Sequence, residues 1–203
     1  PPRAAVRRLM AARSRRALAF GLPLPVAFAL WFALAHWLPP IAMEPVGFVL
    51  GCIGTAALLA FLPGIEAVAH ERLFSRAIDP LAGADSRRLI VNQRYVQNTL
   101  EQFCVFAPGL ALLGLYAGDL RVVAATTITW ILGRWAFWIG YHRDPVLRGI
   151  GASSLAQSLI VLAWGVGAFG HALAGWTGVA VLLGPFVAIE IYLFAALRRA
   201  PRD

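Results

Sequence analysis

Residues 46–69 read VGFVLGCIGTAALLAFLPGIEAVA, an unbroken apolar run in which Glu66 is the only charged side chain. A helix of about 24 residues rises roughly 36 Å, which is enough to cross the hydrocarbon core of a bilayer. The run lacks the alternation of apolar and polar residues that a strand of a membrane barrel requires. It therefore predicts a transmembrane helix, because lipid offers backbone groups no partner outside the segment.

Five further stretches have the same character. The six predicted spans are residues 18–38, 46–69, 89–116, 122–141, 146–169 and 176–197. Of the 203 residues, 60% are hydrophobic and 14% are charged, and the mean hydropathy is +0.71. A soluble domain of this size could not bury so much apolar surface. The sequence therefore predicts an all-α, polytopic transmembrane bundle that forms a single membrane domain over residues 1–203.

The net charge of +8 comes from arginine, because the sequence contains no lysine. The arginines cluster before the first span, over residues 72–88, around residues 143–148 and after the last span, whereas the opposite loops carry Arg121 alone. By the positive-inside rule, both termini and the arginine-rich loops are expected to be cytoplasmic. Because the arginines lie between apolar segments, they predict contact with lipid headgroups rather than with nucleic acid. Arginine without lysine also favours a GC-rich bacterial source, so we expect a bacterial inner membrane.

Polar residues form a stripe on each of two neighbouring spans. Arg94, Asn98 and Glu101 follow the i, i+4, i+7 spacing of one helix face, and Arg134 and Tyr141 lie seven residues apart on the next span. Polar groups inside a membrane span are costly, so they mark candidate functional sites. Glu101 and Arg134 lie at similar depths, about 18 and 12 Å from the cytoplasmic ends of their helices. We therefore expect them to be close enough for a salt bridge or for a shared ligand.

These stripes predict a cleft for a small anionic molecule, with Arg143 and Arg148 near its cytoplasmic mouth. Arginine forks bind carboxylates through two hydrogen bonds, and the side chains of Asn98 and Tyr141 can both donate and accept. The alternative is a polar network that only joins helices. Ser154 is either within reach of the cleft or part of such a network, and the same holds for Gln157.

The first stripe lies in RYVQNTLEQF, which resembles a signature of the MAPEG family, the membrane-associated proteins of eicosanoid and glutathione metabolism. That signature is an arginine, three residues, an asparagine, two residues and a glutamate. The second stripe lies in GRWAFWIGYHRDPVLRG, which is similar to leukotriene C4 synthase-like members of that family. Arg134, Gly140, Tyr141 and Arg148 fit that pattern without a gap, and Arg143 also has a counterpart.

The resemblance implies a four-helix core at residues 46–170, an extra span within each of residues 1–45 and 171–203, and a homotrimer. It implies that glutathione, as co-substrate, binds between neighbouring subunits at the cytoplasmic side. The glutathione-binding residues implied in this way are Arg94, Asn98, Glu101, Arg134, Tyr141 and Arg143. Arg148 would lie near the sulfur and favour the thiolate, which is the nucleophile. Two departures are Phe137, where a phenol is frequent, and Gln97, where a basic residue is common.

The resemblance predicts a glutathione transferase or peroxidase that acts on a hydrophobic small molecule. One alternative is a non-catalytic membrane protein that binds lipid or serves as a scaffold, and another is a small transporter. Glu66 and His70 lie one turn apart but lack a third ligand, so no metal site is predicted.

Overall fold

The computed structural model describes residues 21–199, with side chains up to residue 196. All regular structure in this range is helical, which confirms the all-α prediction. The five helices are α1 (Pro23–Trp37), α2 (Pro45–Leu73), α3 (Arg87–Tyr116), α4 (Leu120–Arg143) and α5 (Gly151–Arg199). Short 3-10 turns cover Arg76–Ile78 and Pro145–Ile150.

Helices α2, α3, α4 and α5 are long and apolar enough to cross a membrane. Helix α1 has 15 residues and is shorter than a full span. Residues 18–20 of the predicted first span lie outside the described residues. So do the basic N-terminal segment and the side chains of the C-terminal arginines.

Helix α5 contains both the fifth and the sixth predicted spans. Its helical geometry breaks at Ala174 and Gly175, and Gly175 has a φ of 58°, a left-handed conformation that favours glycine. The backbones of Gly170 and Gly178 are so close that a Cβ on either residue would clash. In a continuous helix they would lie about 12 Å apart. The helix therefore folds back at the break as two antiparallel limbs, residues 151–173 and 176–199.

Helix α2 changes its winding where proline interrupts it. Pro63 has no backbone N–H, and its ring crowds the carbonyl four residues earlier. The chain forms a π-helical turn at Ala57–Phe61 just before this proline. The carbonyl of Leu59 instead accepts a 2.7 Å hydrogen bond from Trp135 Nε1 of α4. The proline thus frees an acceptor that α4 uses to fix its position against α2.

The core lies between α2, α3 and α4, where aromatic side chains are fully buried. Phe106 of α3 and Trp130 of α4 stack with ring centroids 4.4 Å apart. The Trp130 indole Nε1 donates to Ser158 Oγ of α5 at 3.1 Å. Large apolar side chains of the second limb of α5 are exposed, as expected of a surface that faces lipid.

Capping residues set where α3 and α4 begin. Ser86 Oγ accepts from the backbone N–H of Leu89 and donates to Glu71 of α2, which also accepts from Arg88 Nε at 2.8 Å. This network ties the start of α3 to the end of α2. At the other end of the bundle, Asp119 caps α4, and its hydrogen bonds from the Arg121 side chain and backbone lower the pKa of the Asp119 carboxyl.

Candidate functional site

A polar cleft of about 600 Å³ lies where α3 passes the end of α4 and the start of α5. It contains five of the seven predicted site residues. The residues that line the cleft are Arg94, Gln97, Asn98, Glu101, Gln102, Phe137, Tyr141, Arg148, Gly149, Gly151, Ala152 and Leu155.

Helix α3 supplies one wall through its predicted polar stripe. Gln97 connects the two charged residues of that wall: its Oε1 accepts from Arg94 Nη1 at 3.4 Å, and its Nε2 donates to Glu101 Oε1 at 3.2 Å. All three side chains are exposed. The wall therefore presents a cation and an anion on either side of a neutral amide.

Arg134 lies directly behind this wall and is completely buried. Its Nη2 donates to Asn98 Oδ1 at 3.0 Å and to Thr99 Oγ1 at 2.9 Å, and its Nη1 donates to Ser154 Oγ at 3.4 Å. The guanidinium carbon lies 4.5 Å from the centre of the Phe137 ring. Within the described residues, Nε has no hydrogen-bond partner. The guanidinium is therefore surrounded by neutral groups.

The predicted salt bridge between Glu101 and Arg134 is wrong, and the alternative that they share a ligand stays a prediction. Over residues 21–196, the ion pairs are Arg88 with Glu71 and Arg121 with Asp119. The number of residues along a helix gives the depth of a residue in the membrane but not the direction in which its side chain points. Arg134 reaches the side of α3 that carries Asn98 and Thr99, whereas Glu101 opens into the cleft.

Two amides between Arg134 and the cleft have fixed orientations. Asn98 Oδ1 accepts from both Arg134 and Gln102 Nε2, the latter at 3.3 Å, so its NH₂ group is what remains for a ligand. Gln102 Nε2 also lies 3.5 Å from the carbonyl oxygen of Gly151. The residue is 3% exposed, and its Oε1 has no partner in the described part of the chain. An acceptor that is buried without a donor costs about 1–3 kcal/mol, so a ligand that donates would stabilise it.

Sequence reasoning missed Gln102. A signal was present, because Gln102 lies four residues after Asn98 and so extends the same helical face. Of the two alternatives predicted for Ser154, the structure shows the polar network between helices, because its hydroxyl accepts from Arg134. Gln157 instead donates from Nε2 to the carbonyl of Thr126 at 2.9 Å, a hydrogen bond between α4 and α5.

The opposite wall comes from α4, the 3-10 turn and the start of α5. Tyr141 is half-buried, with its ring centroid 5.8 Å from that of Phe137. Arg148 is exposed and lies in the 3-10 turn Pro145–Ile150, which leads directly into α5. Helix α5 begins at Gly151, and its positive N-terminal end faces the cleft.

Arg143 is a predicted site residue that the structure does not bring to the lining of the cleft. It is the last residue of α4, is exposed and lies outside the lining of the cleft. The cleft thus combines Arg94 and Arg148 at its surface with the buried charge of Arg134, against the single carboxylate of Glu101. This balance favours a ligand with a net negative charge.

A comparison with protein families gives a match to the MAPEG family over residues 46–169, more than half of the chain. The chain belongs to the MAPEG family. With its long apolar helices, this makes it a membrane protein. The MAPEG match includes every residue of the cleft, whereas α1 and the second limb of α5 lie outside it. These two elements are the extra helices that the sequence predicted at either end of the core.

One curated relative is the uncharacterized protein sll1147 of Synechocystis sp., which is 35% identical over 71 residues. The match covers 34% of this chain and 51% of that protein, so the chain spans about half the length of this relative. No solved structure matches the chain.

Proposed function

We propose that this protein is a membrane-bound glutathione transferase or peroxidase that joins the glutathione thiolate to a hydrophobic electrophile. The observation that carries the proposal is the buried guanidinium of Arg134, whose described partners are neutral, behind an open polar cleft. A charge taken out of water without a counter-ion costs several kcal/mol. An anion in the cleft would offset that cost.

Glutathione has the groups that the cleft can bind. Its two carboxylates match the charge of Arg94, which can form two parallel hydrogen bonds to one of them, and the charge of Arg134 behind the wall. Its ammonium group suits the Glu101 carboxylate. Its peptide N–H groups can donate to Gln102 Oε1, and its carbonyls can accept from the NH₂ group of Asn98. Arg134 acts as a positioning residue here, because it fixes the Asn98 amide and contributes its charge from behind.

The reactive end of glutathione would lie near Arg148 and the N-terminus of α5. A nearby cation and a positive helix end both favour a thiolate over a thiol. In the transferase reaction, the thiol proton goes to solvent, and the thiolate forms a carbon–sulfur bond as the bond from the attacked carbon to a leaving group breaks and that group departs with the electron pair. With an epoxide or a conjugated alkene, the C–O or π bond opens instead, and the resulting anion takes a proton from solvent. The apolar side chains of Phe137 and Leu155 on the lining suit a hydrophobic co-substrate that enters from lipid.

The arginine distribution supports an orientation in which both termini and the cleft face the cytoplasm of a bacterium, with the protein in the inner membrane. Family membership supports a homotrimer. Such a trimer would place glutathione at the boundary between neighbouring subunits, as the resemblance implies. Native mass spectrometry in mild detergent would test the trimer, which a purely monomeric species would contradict.

The binding step is tested by the thermal stability of the purified full chain with glutathione. A ligand that binds the native state alone raises the apparent melting temperature by mass action. We expect glutathione to raise the melting temperature of the wild type. For Arg94→Ala, the apparent affinity for glutathione derived from these shifts is expected to be at least about ten-fold lower, because a charged pair of hydrogen bonds is lost. Arg76→Ala is the matched control, because Arg76 is exposed in the 3-10 turn Arg76–Ile78, outside the cleft. The proposal fails if glutathione gives no shift, or if both variants respond alike.

A further inference from the structure

Helix α1 encloses a second binding region with α4 and the start of α5. Two apolar crevices of about 640 and 170 Å³ lie beside α1 and share Ala27, Thr129 and Ser153 as lining residues. Helix α1 is fixed there by Trp31, whose Nε1 donates to Thr126 Oγ1 at 2.9 Å. Because α1 lies outside the matched region, this pair of crevices, here called the α1 crevice, is not a feature of the four-helix core.

The α1 crevice is separate from the polar cleft. On α5, the cleft is lined by Gly151, Ala152 and Leu155, whereas the crevice is lined by Ser153 and Gln157. Successive residues of a helix project about 100° apart, so these two sets occupy different faces. Within residues 21–196, no arginine lines the crevice, so its described lining differs in chemistry from that of the polar cleft.

Two buried polar atoms lie in the otherwise apolar wall of the crevice. Thr129 is 3% exposed, and its Oγ1 has no hydrogen-bond partner among the described residues. The same is true of Gln157 Oε1. The Gln157 amide cannot simply be turned round, because its Nε2 donates to the carbonyl of Thr126 at 2.9 Å. The free atom is therefore a carbonyl oxygen, which can only accept.

We propose that the α1 crevice binds a long-chain aliphatic alcohol from the membrane, with its hydroxyl group between Thr129 and Gln157. A hydroxyl can donate to Gln157 Oε1 and still exchange a hydrogen bond with Thr129 Oγ1. Ethers, esters and ketones lack a donor and leave the Gln157 oxygen unsatisfied. A fatty acid is disfavoured because the Asp144 carboxylate lines the crevice and none of the described lining residues is a cation. The aliphatic chain would bury apolar surface against Val26 and Leu132.

The test uses a photoreactive diazirine analogue of hexadecanol and its methyl ether, each added to the full chain in lipid vesicles. The alcohol is expected to label peptides of α1 and the start of α5 about five-fold more than the ether, the factor for one net hydrogen bond. Thr129→Val, which keeps the shape but removes the hydroxyl, is expected to lose most of this preference. Thr127→Val is the matched control, because the buried Thr127 hydroxyl already donates to the Val123 carbonyl at 2.9 Å.

A second variant keeps the test decisive if Thr129→Val does not fold. Ala27→Leu places a larger side chain at a residue that lines both crevices, so labelling by both probes is expected to fall at least about five-fold, because overfilling a packed site costs about 1–3 kcal/mol. Glutathione binding is expected to stay unchanged, which separates this proposal from the preceding one. Equal labelling by alcohol and ether in the wild type would overturn the proposal. So would labelling that maps elsewhere or that survives Ala27→Leu.

Discussion

The two faces of the α4–α5 pair differ in the buried polar groups that they leave without a counter-ion or a hydrogen-bond partner. On the cleft face, a buried guanidinium has only neutral described partners, and two further arginines stand at the surface. On the α1 crevice face, the unsatisfied groups are neutral, the hydroxyl of Thr129 and the carbonyl of Gln157. A buried charge without a counter-ion costs several kcal/mol, whereas a buried neutral polar atom without a hydrogen-bond partner costs about 1–3 kcal/mol. A ligand in the cleft should therefore stabilise the protein more than a ligand in the crevice.

The difference also shows how one pair of helices can support two unrelated sites. Residues one or two positions apart on α5 project to opposite sides, so the family-matched cleft and the α1 crevice need not share a side chain. The cleft uses the arginine-rich end of the core, and the crevice depends on an added helix. Variants that alter one face, together with measurements of ligand binding at the other, test whether the two faces are independent.

The largest effect is expected for Arg134→Met, which removes the buried charge but keeps much of the side-chain volume. Glutathione affinity is expected to fall about 10- to 150-fold, from the loss of charge-assisted interactions. The ligand-free protein is expected to keep its melting temperature or gain slightly, because replacing a poorly compensated buried charge by an apolar group is often neutral or stabilising. Calorimetric binding and thermal unfolding measure the two quantities. A purely structural arginine would give the reverse pattern, with lower stability and unchanged affinity.

The next largest effect is expected for Arg148→Ala. The rate of conjugation is expected to fall about 10- to 100-fold, corresponding to about 1.4–2.7 kcal/mol of lost thiolate and transition-state stabilisation. Affinity should change little, because the carboxylates are bound elsewhere in the cleft. Arg148→Lys should recover part of the rate, since a point charge still favours the thiolate. Arg143→Ala is the control, because Arg143 is exposed but lies outside the cleft; an equal loss in both alanine variants would contradict the assignment.

A smaller effect is expected for Gln102→Leu. Removing the buried Oε1 should lower glutathione affinity about five-fold, the value of one net hydrogen bond. Gln93→Leu is the control, because it is the same substitution on the same helix. Gln93 donates to Asp85 at 3.3 Å outside the cleft, so this variant should leave the affinity for glutathione unchanged. Binding titrations decide the matter, and an affinity unaltered by Gln102→Leu would remove this residue from the site.

The smallest effect on glutathione is expected for Trp31→Phe, which alters only the α1 crevice. Loss of the hydrogen bond to Thr126 should lower the free energy of unfolding by about 0.5–1.5 kcal/mol and leave glutathione affinity as it is. Trp37→Phe serves as the control, because that side chain is 79% exposed. A change in glutathione affinity would mean that the two faces are coupled.

The sequence predicted the parts of the fold and cleft that depend on hydrophobicity and helical periodicity. The long spans follow from apolar runs, and the spacing of Arg94, Asn98 and Glu101 placed all three on the wall of one cleft. The motif around Tyr141 and Arg148 led to the opposite wall. Periodicity within a helix is a local property, so it could be read from the chain directly.

The rest depends on how neighbouring helices rotate and meet, which a single sequence does not encode in any simple pattern. The rotation of α4 decided that Arg134 bonds Asn98 and not Glu101. The tight reversal at Gly175 depends on the close approach of Gly170 and Gly178, whereas the sequence predicted only a connection between two spans. The hydrogen bond from Trp31 to Thr126 joins residues 95 positions apart, so no local sequence pattern predicts it.

The central claim is that the cleft holds glutathione as a thiolate, and its most direct test is the pH titration of the thiolate absorbance of bound glutathione. Free thiols of the cysteine type have a pKa of about 8.5, and cations nearby lower it. With Arg148, Arg134 and the N-terminus of α5 around the ligand, we predict that the bound thiol titrates at least one pH unit lower, which corresponds to about 1.4 kcal/mol. A bound thiol that titrates at or above the value in free glutathione would contradict the account.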